Sequence, residues 1–504
     1  MKIIVHSSYS AQTIGANLGK AQYSYYFVLA GYLPVLRQLG DVVTVDDPET
    51  EADAIFDACQ AKGEACVFLC FAPPHLVPIT LRCPTIPILA WEFSTIPCEM
   101  WSDDPRSDWR VVFAHCKRVI VLSHHTAALV REAMGEDFPV FVIPTATYEG
   151  FAGTGPAQPV ADDYTLHLRG YLFDSAADER FMHNSSWPPV PPPHFVPPAP
   201  EVLAPLEPVR PGLRRRVGLT LYYAHAWYRD VLRDIVPGPL KRLASVCGRR
   251  LYRLYKARKQ APPGAAPPLP EQDVVLSGVV YTSVFSPLDG RKNWHDLVSG
   301  FIWAFRDRPD ATLFLKGLVK GGVEAFPALY ALLSQFAPFR CRVVFFAGFL
   351  SDDEYRELIR GTSYYVNCSH AEGLCMPLME FLSAGRPAIA PDYTAMADYI
   401  DPRIAFVLSG SLEHNVWPFD PRDLFTTMRY RLNWETLVAA YEQSYALAMA
   451  RDERYDAMSA AAHVAMQAFC AEDVVRGGLA EALGIAVPAP ALRKISPENS
   501  KVAA

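Results

Sequence analysis

Two carboxylates, Glu372 and Glu380, lie at the ends of a segment that reads Glu372-Gly373-Leu374-Cys375-Met376-Pro377-Leu378-Met379-Glu380. It runs on through Ala384-Gly385-Arg386-Pro387 to Pro391-Asp392-Tyr393-Thr394. Acids at this spacing are commonplace on their own, and the residues around them supply the meaning. Pro377 suits the first turn of a helix, where its missing N–H costs nothing, and Gly385 suits a C-terminal stop. The segment therefore predicts a strand end, a glycine-containing loop, a short helix and a further strand. The free N–H groups of the loop and helix start then point beyond the strand ends, where they favour an anion such as a diphosphate.

Taken from Ser369 onward, the string resembles the E-x7-E signature of the retaining glycosyltransferases of GT-B fold, most closely the large family 4. The resemblance implies a nucleotide-sugar donor, with Glu372 near the sugar and its phosphates and Glu380 accepting hydrogen bonds from the ribose. Gly373, Leu374, Cys375 and Met376 then belong to the donor loop. Leu374 stands where Phe is common and Cys375 where Gly is common, and a side chain at Cys375 narrows the approach to the phosphates. The run Phe285-Ser286-Pro287-Leu288-Asp289-Gly290-Arg291-Lys292 is similar to the family segment in which an Arg and a Lys clamp the diphosphate. Arg291 and Lys292 would offset the charge that develops on the leaving group.

The same resemblance assigns Phe349, in Gly348-Phe349-Leu350, to a loop that meets the nucleobase through its backbone, and Thr394 to the phosphates or sugar. Gly15, with Gly19, matches a glycine-containing loop near the diphosphate. His75 matches an active-site His that touches the donor sugar. Trp91-Glu92-Phe93 resembles a WE motif found in a subset of these enzymes, with Trp91 stacking on a sugar face and Glu92 binding acceptor hydroxyls. A Trp capping the core and an ordinary capping acid fit those two residues equally well. Relatives use a same-face substitution without metal or other cofactor, so Glu372 is expected to position the sugar rather than to form a covalent bond.

The elements needed to hold these residues are visible in the pattern. Short apolar runs at Lys2 to His6, Asp41 to Val45, Ala65 to Phe71, Ile86 to Ala90, Arg118 to Leu122 and Val140 to Ile143 alternate with helix-length segments. The pattern returns at Val274 to Thr282, Ala311 to Leu315, Arg342 to Phe346, Tyr364 to Asn367, Pro387 to Ala390 and Ile404 to Leu408. Continuous apolar strands belong to parallel sheets covered on both faces, so the fold class is α/β with two Rossmann-like domains facing across a cleft. The expected division is an acceptor domain over 1–160, an insertion over 161–270, a nucleotide-sugar domain over 271–410, helices over 411–485 and a flexible tail over 486–504. At 504 residues, half of them hydrophobic, the chain can bury two cores.

A net charge of −7 argues against nucleic acid as a partner. The opening Met1-Lys2-Ile3-Ile4-Val5-His6 is too short an apolar run for a signal peptide, and no apolar run reaches membrane-spanning length. The 11 Cys include no CxxC pair, which fits a reducing cytoplasm. The insertion is dense in Pro from Trp187 to Pro211 and then basic and aromatic over 210–259, where Lys and Arg outnumber Asp230 and Asp234. Such a stretch suits peripheral contact with an anionic membrane surface, here the inner face of the cytoplasmic membrane, and suits equally a helical pair packed on protein. The expected acceptor is a glycan or lipid-linked glycan, in surface polysaccharide or glycoconjugate synthesis. A catalytically inactive partner protein of the same fold at a membrane, or an epimerase or phosphorylase, would carry much of the same pattern.

Overall fold

The computed structural model describes residues 1–9, 23–178, 269–318, 325–417 and 424–485, with the single positions 181, 216, 220, 224, 227 and 420. Gly15, Gly19, the tail over 486–504 and the basic stretch over 210–259, those single positions apart, lie outside the described residues.

The first domain alternates β1 (Lys2–Ser7), α1 (Ser24–Leu39), β2 (Asp41–Thr44), α2 (Pro48–Gln60), β3 (Cys66–Phe71), β4 (Thr85–Leu89), α3 (Trp109–Cys116), β5 (Val119–Val121), α4 (His124–Met134), β6 (Val140–Val142) and α5 (Tyr148–Phe151). Its strands form one parallel sheet in the order β2-β1-β3-β4-β5-β6. All of β3 is buried, because helices cover both faces of a parallel sheet.

The second domain contains β7 (Ala161–Arg169), β8 (Tyr171–Asp174), β9 (Glu271–Phe285), α6 (Trp294–Phe305), β10 (Ala311–Gly317), α7 (Phe326–Phe336), β11 (Arg342–Ala347), α8 (Asp352–Arg360), β12 (Tyr364–Val366), α9 (Met376–Ser383), β13 (Ala388–Ala390) and β14 (Ala405–Val407). The order β14-β13-β12-β9-β10-β11-β8 is parallel except for the edge strand β8. Two Rossmann-like domains meeting across a cleft make this the GT-B arrangement. Strand ends from both sheets converge there, as parallel α/β sheets bring ligand-binding loops together at their carboxyl edges.

Two segments differ from the sequence reading. Residues 161–174, expected in the insertion, supply β7 and β8 to the second sheet, β7 pairing antiparallel with the first half of β9. A bulge shifts the β7 register between Ala161 and Tyr164, where Asp163 adopts φ 49°; beyond it Tyr164, Leu166 and Leu168 alternate with Thr165, His167 and Arg169, the pattern of a strand with one buried face. Gly278 turns β9 from β7 toward β10 with φ +75°, and a Cβ there would stand 2.0 Å from the Asp310 carbonyl oxygen.

Nor is the region after 410 purely helical. A hairpin of β15 (Gly410–Val416) and β16 (Thr426–Leu432) precedes α10 (Trp434–Met449), α11 (Glu453–Cys470) and α12 (Glu472–Leu483). β15 is largely polar and gives no apolar period, whereas in β16 Met428, Tyr430 and Leu432 alternate with Arg429 and Arg431. The hairpin reaches the first domain. Thr427 Oγ1 accepts from the Ser94 N–H at 3.0 Å, and Thr95 Oγ1 donates to the Thr426 carbonyl at 2.8 Å. The buried Trp417 packs with Trp91, Trp101 and Phe425. The last helix also crosses back, with Arg118 donating to the Ala482 carbonyl at 3.1 Å and Arg476 to Gln38 at 2.9 Å.

Truncating Trp417 to Ala removes a core side chain that joins the two domains. The expected loss is about 3–5 kcal/mol of unfolding free energy, to be read from urea denaturation with far-UV circular dichroism. A loss under about 1 kcal/mol would show that the hairpin does not hold the domains together.

Candidate functional site

Three loops from the second sheet and one from the first build the site. Beyond β9 the chain makes a tight turn, Gly290–Lys292, which Asp289 caps by accepting from the Arg291 N–H at 3.1 Å. Asn293 then takes φ 46° and starts α6. This turn aims Arg291 and Lys292 at the loop beyond β12.

In that loop Asn367 organises the backbone: its Oδ1 accepts from the Ser369 N–H at 2.7 Å, and its Nδ2 lies 2.9 Å from the Cys375 sulfur and 3.5 Å from Glu372 Oε1. Glu372 is buried, and its carboxylate accepts from Lys292 Nζ at 2.6 Å and from Arg291 Nη1 at 3.3 Å. Burial alone would push this acid up, but Lys292 and Arg291 outweigh it and hold the carboxyl down at about 2. The Glu372 N–H donates to Thr394 Oγ1 at 2.9 Å, so the loop beyond β13 fixes the acid from the other side.

The first domain adds Glu92. Its Oε1 lies 3.3 Å from Arg291 Nη2, which also binds Asp289 at 3.1 Å. Burial raises the Glu92 carboxyl, and Arg291 opposes that rise. Gly373 faces the end of β4 closely: a Cβ on it would stand 3.2 Å from the Trp91 nitrogen and 3.4 Å from the Ala90 carbonyl carbon. A side chain at Gly373 would therefore push Glu92 away from Arg291.

The helix α9 begins as the sequence implied, with Pro377 in its first turn and Gly385, at φ +73°, just past its end. Cys375, standing where Gly is common, keeps the conformation a glycine would adopt, φ 63° and ψ 60°. Its buried thiol is pushed well above its ordinary pKa by burial and stays protonated. Leu374 is buried, and its carbonyl accepts from the Tyr399 hydroxyl at 2.8 Å, while Met376 is half-buried at the helix start. Glu380, one turn into α9, accepts from the Tyr355 hydroxyl at 2.6 Å. Burial pushes its carboxyl up to about 7, with the Tyr355 hydrogen bond acting in the opposite direction. Phe349 lies in the loop beyond β11 and is 47% exposed, a large apolar ring open to solvent beside Tyr355's helix α8.

Two expected residues stand elsewhere. Trp91 does not present a face to a sugar: it is 6% exposed, donates from Nε1 to the Thr95 carbonyl at 2.8 Å and packs against Phe93 and Trp109. Trp91 and Glu92 both lie just beyond β4, where the chain turns Trp91 into the core and brings Glu92 to Arg291. His75 packs against Trp101 and Trp109 in its own domain, and burial holds its ring down at about 4, so it is neutral near pH 7. Asp289, Asn367 and Tyr355 were missed. Asp289 carries a legible signal, an Asp opening a turn before Gly290, whereas Asn367 and Tyr355 reach the site only through the fold.

Residues 340–413 match the family of glycosyl transferases group 1. That stretch covers β11 to β14 and includes Glu372 and Glu380. No curated protein matches the chain. Among solved structures, the chain is similar to Alr3699/HepE of Anabaena, crystallised with UDP and glucose, at 12% identity over 96% of this chain and 99% of that one, with a TM-score of 0.46. The sucrose-phosphate synthase of Thermosynechococcus elongatus is 12% identical over 96% and 98%, with a TM-score of 0.49. A glycosyltransferase from Rickettsia africae is 10% identical over 96% and 97%, with a TM-score of 0.47.

The two acids of the string titrate in opposite directions. Glu372, held below its ordinary value of 4.5, contributes stability that is full above that value and lost as pH falls toward about 2. Glu380, raised above 4.5, contributes stability that is present below that value and lost as pH rises through about 7. Replacing Glu380 with Gln should therefore flatten the decline in unfolding free energy between about pH 5 and about pH 8, a difference of a few kcal/mol in paired urea titrations. An unchanged slope would place the Glu380 carboxyl near its ordinary value.

Proposed function

We propose that the chain is a retaining, family 4-like glycosyltransferase that moves a sugar, of hexosyl type, from a nucleoside diphosphate to a glycan, glycolipid or other acceptor. One observation carries the reading: Arg291 and Lys292 converge on Glu372 at the start of α9, where cations and free N–H groups favour a diphosphate. Departure of the nucleoside diphosphate places negative charge on a phosphate oxygen, and fixed cations in a buried site offset it. Glu372, ionised and bound by two cations, is a weak base and a weak nucleophile. Its role is to hold the sugar and orient the cations, while the departing phosphate takes the acceptor proton on the same face. Glu380 then serves the ribose, Phe349 the nucleobase loop, Thr394 the donor loop, and Glu92 the acceptor side.

Glu92, Asp289 and Glu372 outnumber Arg291 and Lys292 by three charges to two in the donor-free cluster. A diphosphate therefore binds by taking Arg291 from Glu92. The Glu92→Gln variant should bind UDP several-fold more tightly by calorimetry and transfer sugar more slowly; weaker UDP binding would place Glu92 outside this competition.

Activity is tested with a panel of nucleotide sugars, beginning with UDP-glucose and continuing with GDP- and ADP-sugars, scored by thermal stabilisation and by hydrolysis or transfer. Lys292→Met should lower turnover by about 10²–10³-fold, the effect of removing one charge-stabilising donor. No turnover with any donor in a folded protein would favour an inactive partner, and release of an epimer or a sugar phosphate would replace transfer with that chemistry. Family 4 membership, the surface-polysaccharide setting and membrane contact through 210–259 belong to the same proposal. Deleting residues 188–259 and measuring binding to anionic liposomes tests the last of these, and unchanged binding would remove it.

A further inference from the structure

Lys316 is the penultimate residue of β10, the strand between β9 and β11. It aligns with Val284 on β9 and Phe346 on β11. Those two strands run directly into the loops that carry Arg291-Lys292 and Gly348-Phe349. Its side chain therefore sits between the loop proposed for the diphosphate and the loop proposed for the nucleobase.

Strand alternation also fixes its face. Phe314, two residues earlier, belongs with Val280, Val344, Phe346 and Tyr365 to the core on the side of α8 and α9, whereas Leu313 and Leu315 pack on the opposite side. Lys316 thus lies on the face that carries Tyr355 and Glu380. It is 4% exposed, and among the described residues its ammonium has no hydrogen-bond or ion-pair partner. Arg291 and Lys292, by contrast, are already bound to acids. The stem of this side chain is buried while Nζ keeps some contact with solvent, so the ammonium opens at the carboxyl edge of a parallel sheet, where ligand-binding groups gather. Burial holds it down at about 7, which leaves part of the population charged near neutrality.

We propose that Lys316 reads the nucleoside of the donor, its ammonium donating a hydrogen bond to a carbonyl oxygen of the base. An ammonium has donors and no acceptor. It complements the keto oxygens of uracil or guanine and leaves the amino group of adenine without a partner. The inference rests on the proposed nucleotide-sugar site and goes beyond it by selecting the class of base.

The test measures UDP, GDP and ADP binding by calorimetry for the wild-type full chain, Lys316→Met and Lys316→Gln. Met and Gln are unbranched at Cβ and Cγ and reach one atom less far than Lys, so the buried stem keeps its packing and the variants are expected to fold; Lys316→Gln serves if Lys316→Met does not. Wild type should bind UDP or GDP at least about tenfold more tightly than ADP, since an unpaired polar group in a site built for a partner discriminates strongly. Lys316→Met should erase that preference by weakening the keto nucleotides and sparing ADP. Equal weakening of all three would assign the ammonium to the phosphates and overturn the inference, as would unchanged binding of all three. If wild type binds no nucleotide, the donor site itself falls and the inference with it. Retained binding with an unaltered preference in the variants removes only the role of Lys316.

Discussion

The buried ion cluster of Glu372, Lys292, Arg291 and Glu92 is the constraint on which the rest of the structure depends. Charges out of water are tolerated only when paired with good geometry, and removing one member leaves the others uncompensated. No single element supplies the set: Glu92 follows β4 of the first domain, the two cations follow β9, and Glu372 follows β12. Both sheets must therefore present their carboxyl edges to each other at a fixed distance. Gly373 permits that distance, because its missing side chain lets the loop beyond β12 meet the backbone at Ala90 and Trp91.

Backbone strain accompanies the cluster. Asn293, Cys375 and Thr394 are all non-glycine residues in the left-handed region, with φ 46°, 63° and 53°, and each flanks one of the converging loops. Such conformations cost about 1–3 kcal/mol each and persist where surrounding contacts over-determine them. The contacts are specific. Asn367 holds the Cys375 sulfur, and Thr394 Oγ1 accepts from the Glu372 N–H while donating to the Tyr393 carbonyl at 2.8 Å. Strain gathered at three loops that meet on one carboxylate is better explained by a site than by packing alone.

Much of this was legible in the sequence, and the losses have physical reasons. Apolar runs announced both parallel sheets because buried strands need no alternation, and Pro377 with Gly385 announced the limits of α9 because their backbone chemistry is local. The adjacency of Arg291 and Lys292 to Glu372 was legible only through resemblance, since 80 residues separate Lys292 from Glu372. Strand β15 is polar and carries no signal, whereas β7 and β16 show only short alternations, Tyr164-Leu166-Leu168 and Met428-Tyr430-Leu432, inside stretches whose Pro-rich and helical surroundings dominate the pattern. Trp91 was ambiguous because a Trp at a strand end serves a sugar or a core equally well, and only Trp109 and Trp417, distant in sequence, decide between them.

The hairpin changes what the ion pair between the domains has to do. If Arg291 and Glu92 were the principal link across the cleft, loss of that one ion pair would let the domains part. The link is duplicated instead. Ser94 and Thr95 bond to β16, Trp417 packs between Trp91 and Trp101, and the Tyr430 N–H donates to the His370 carbonyl at 2.9 Å. His370 is two residues from Glu372, so β16 binds the loop beyond β12 and the first domain together. Apolar and neutral contacts therefore hold the cleft independently of the ion pair between Glu92 and Arg291. The ion cluster fixes how the two carboxyl edges face each other, and the hairpin shares the load of holding them there.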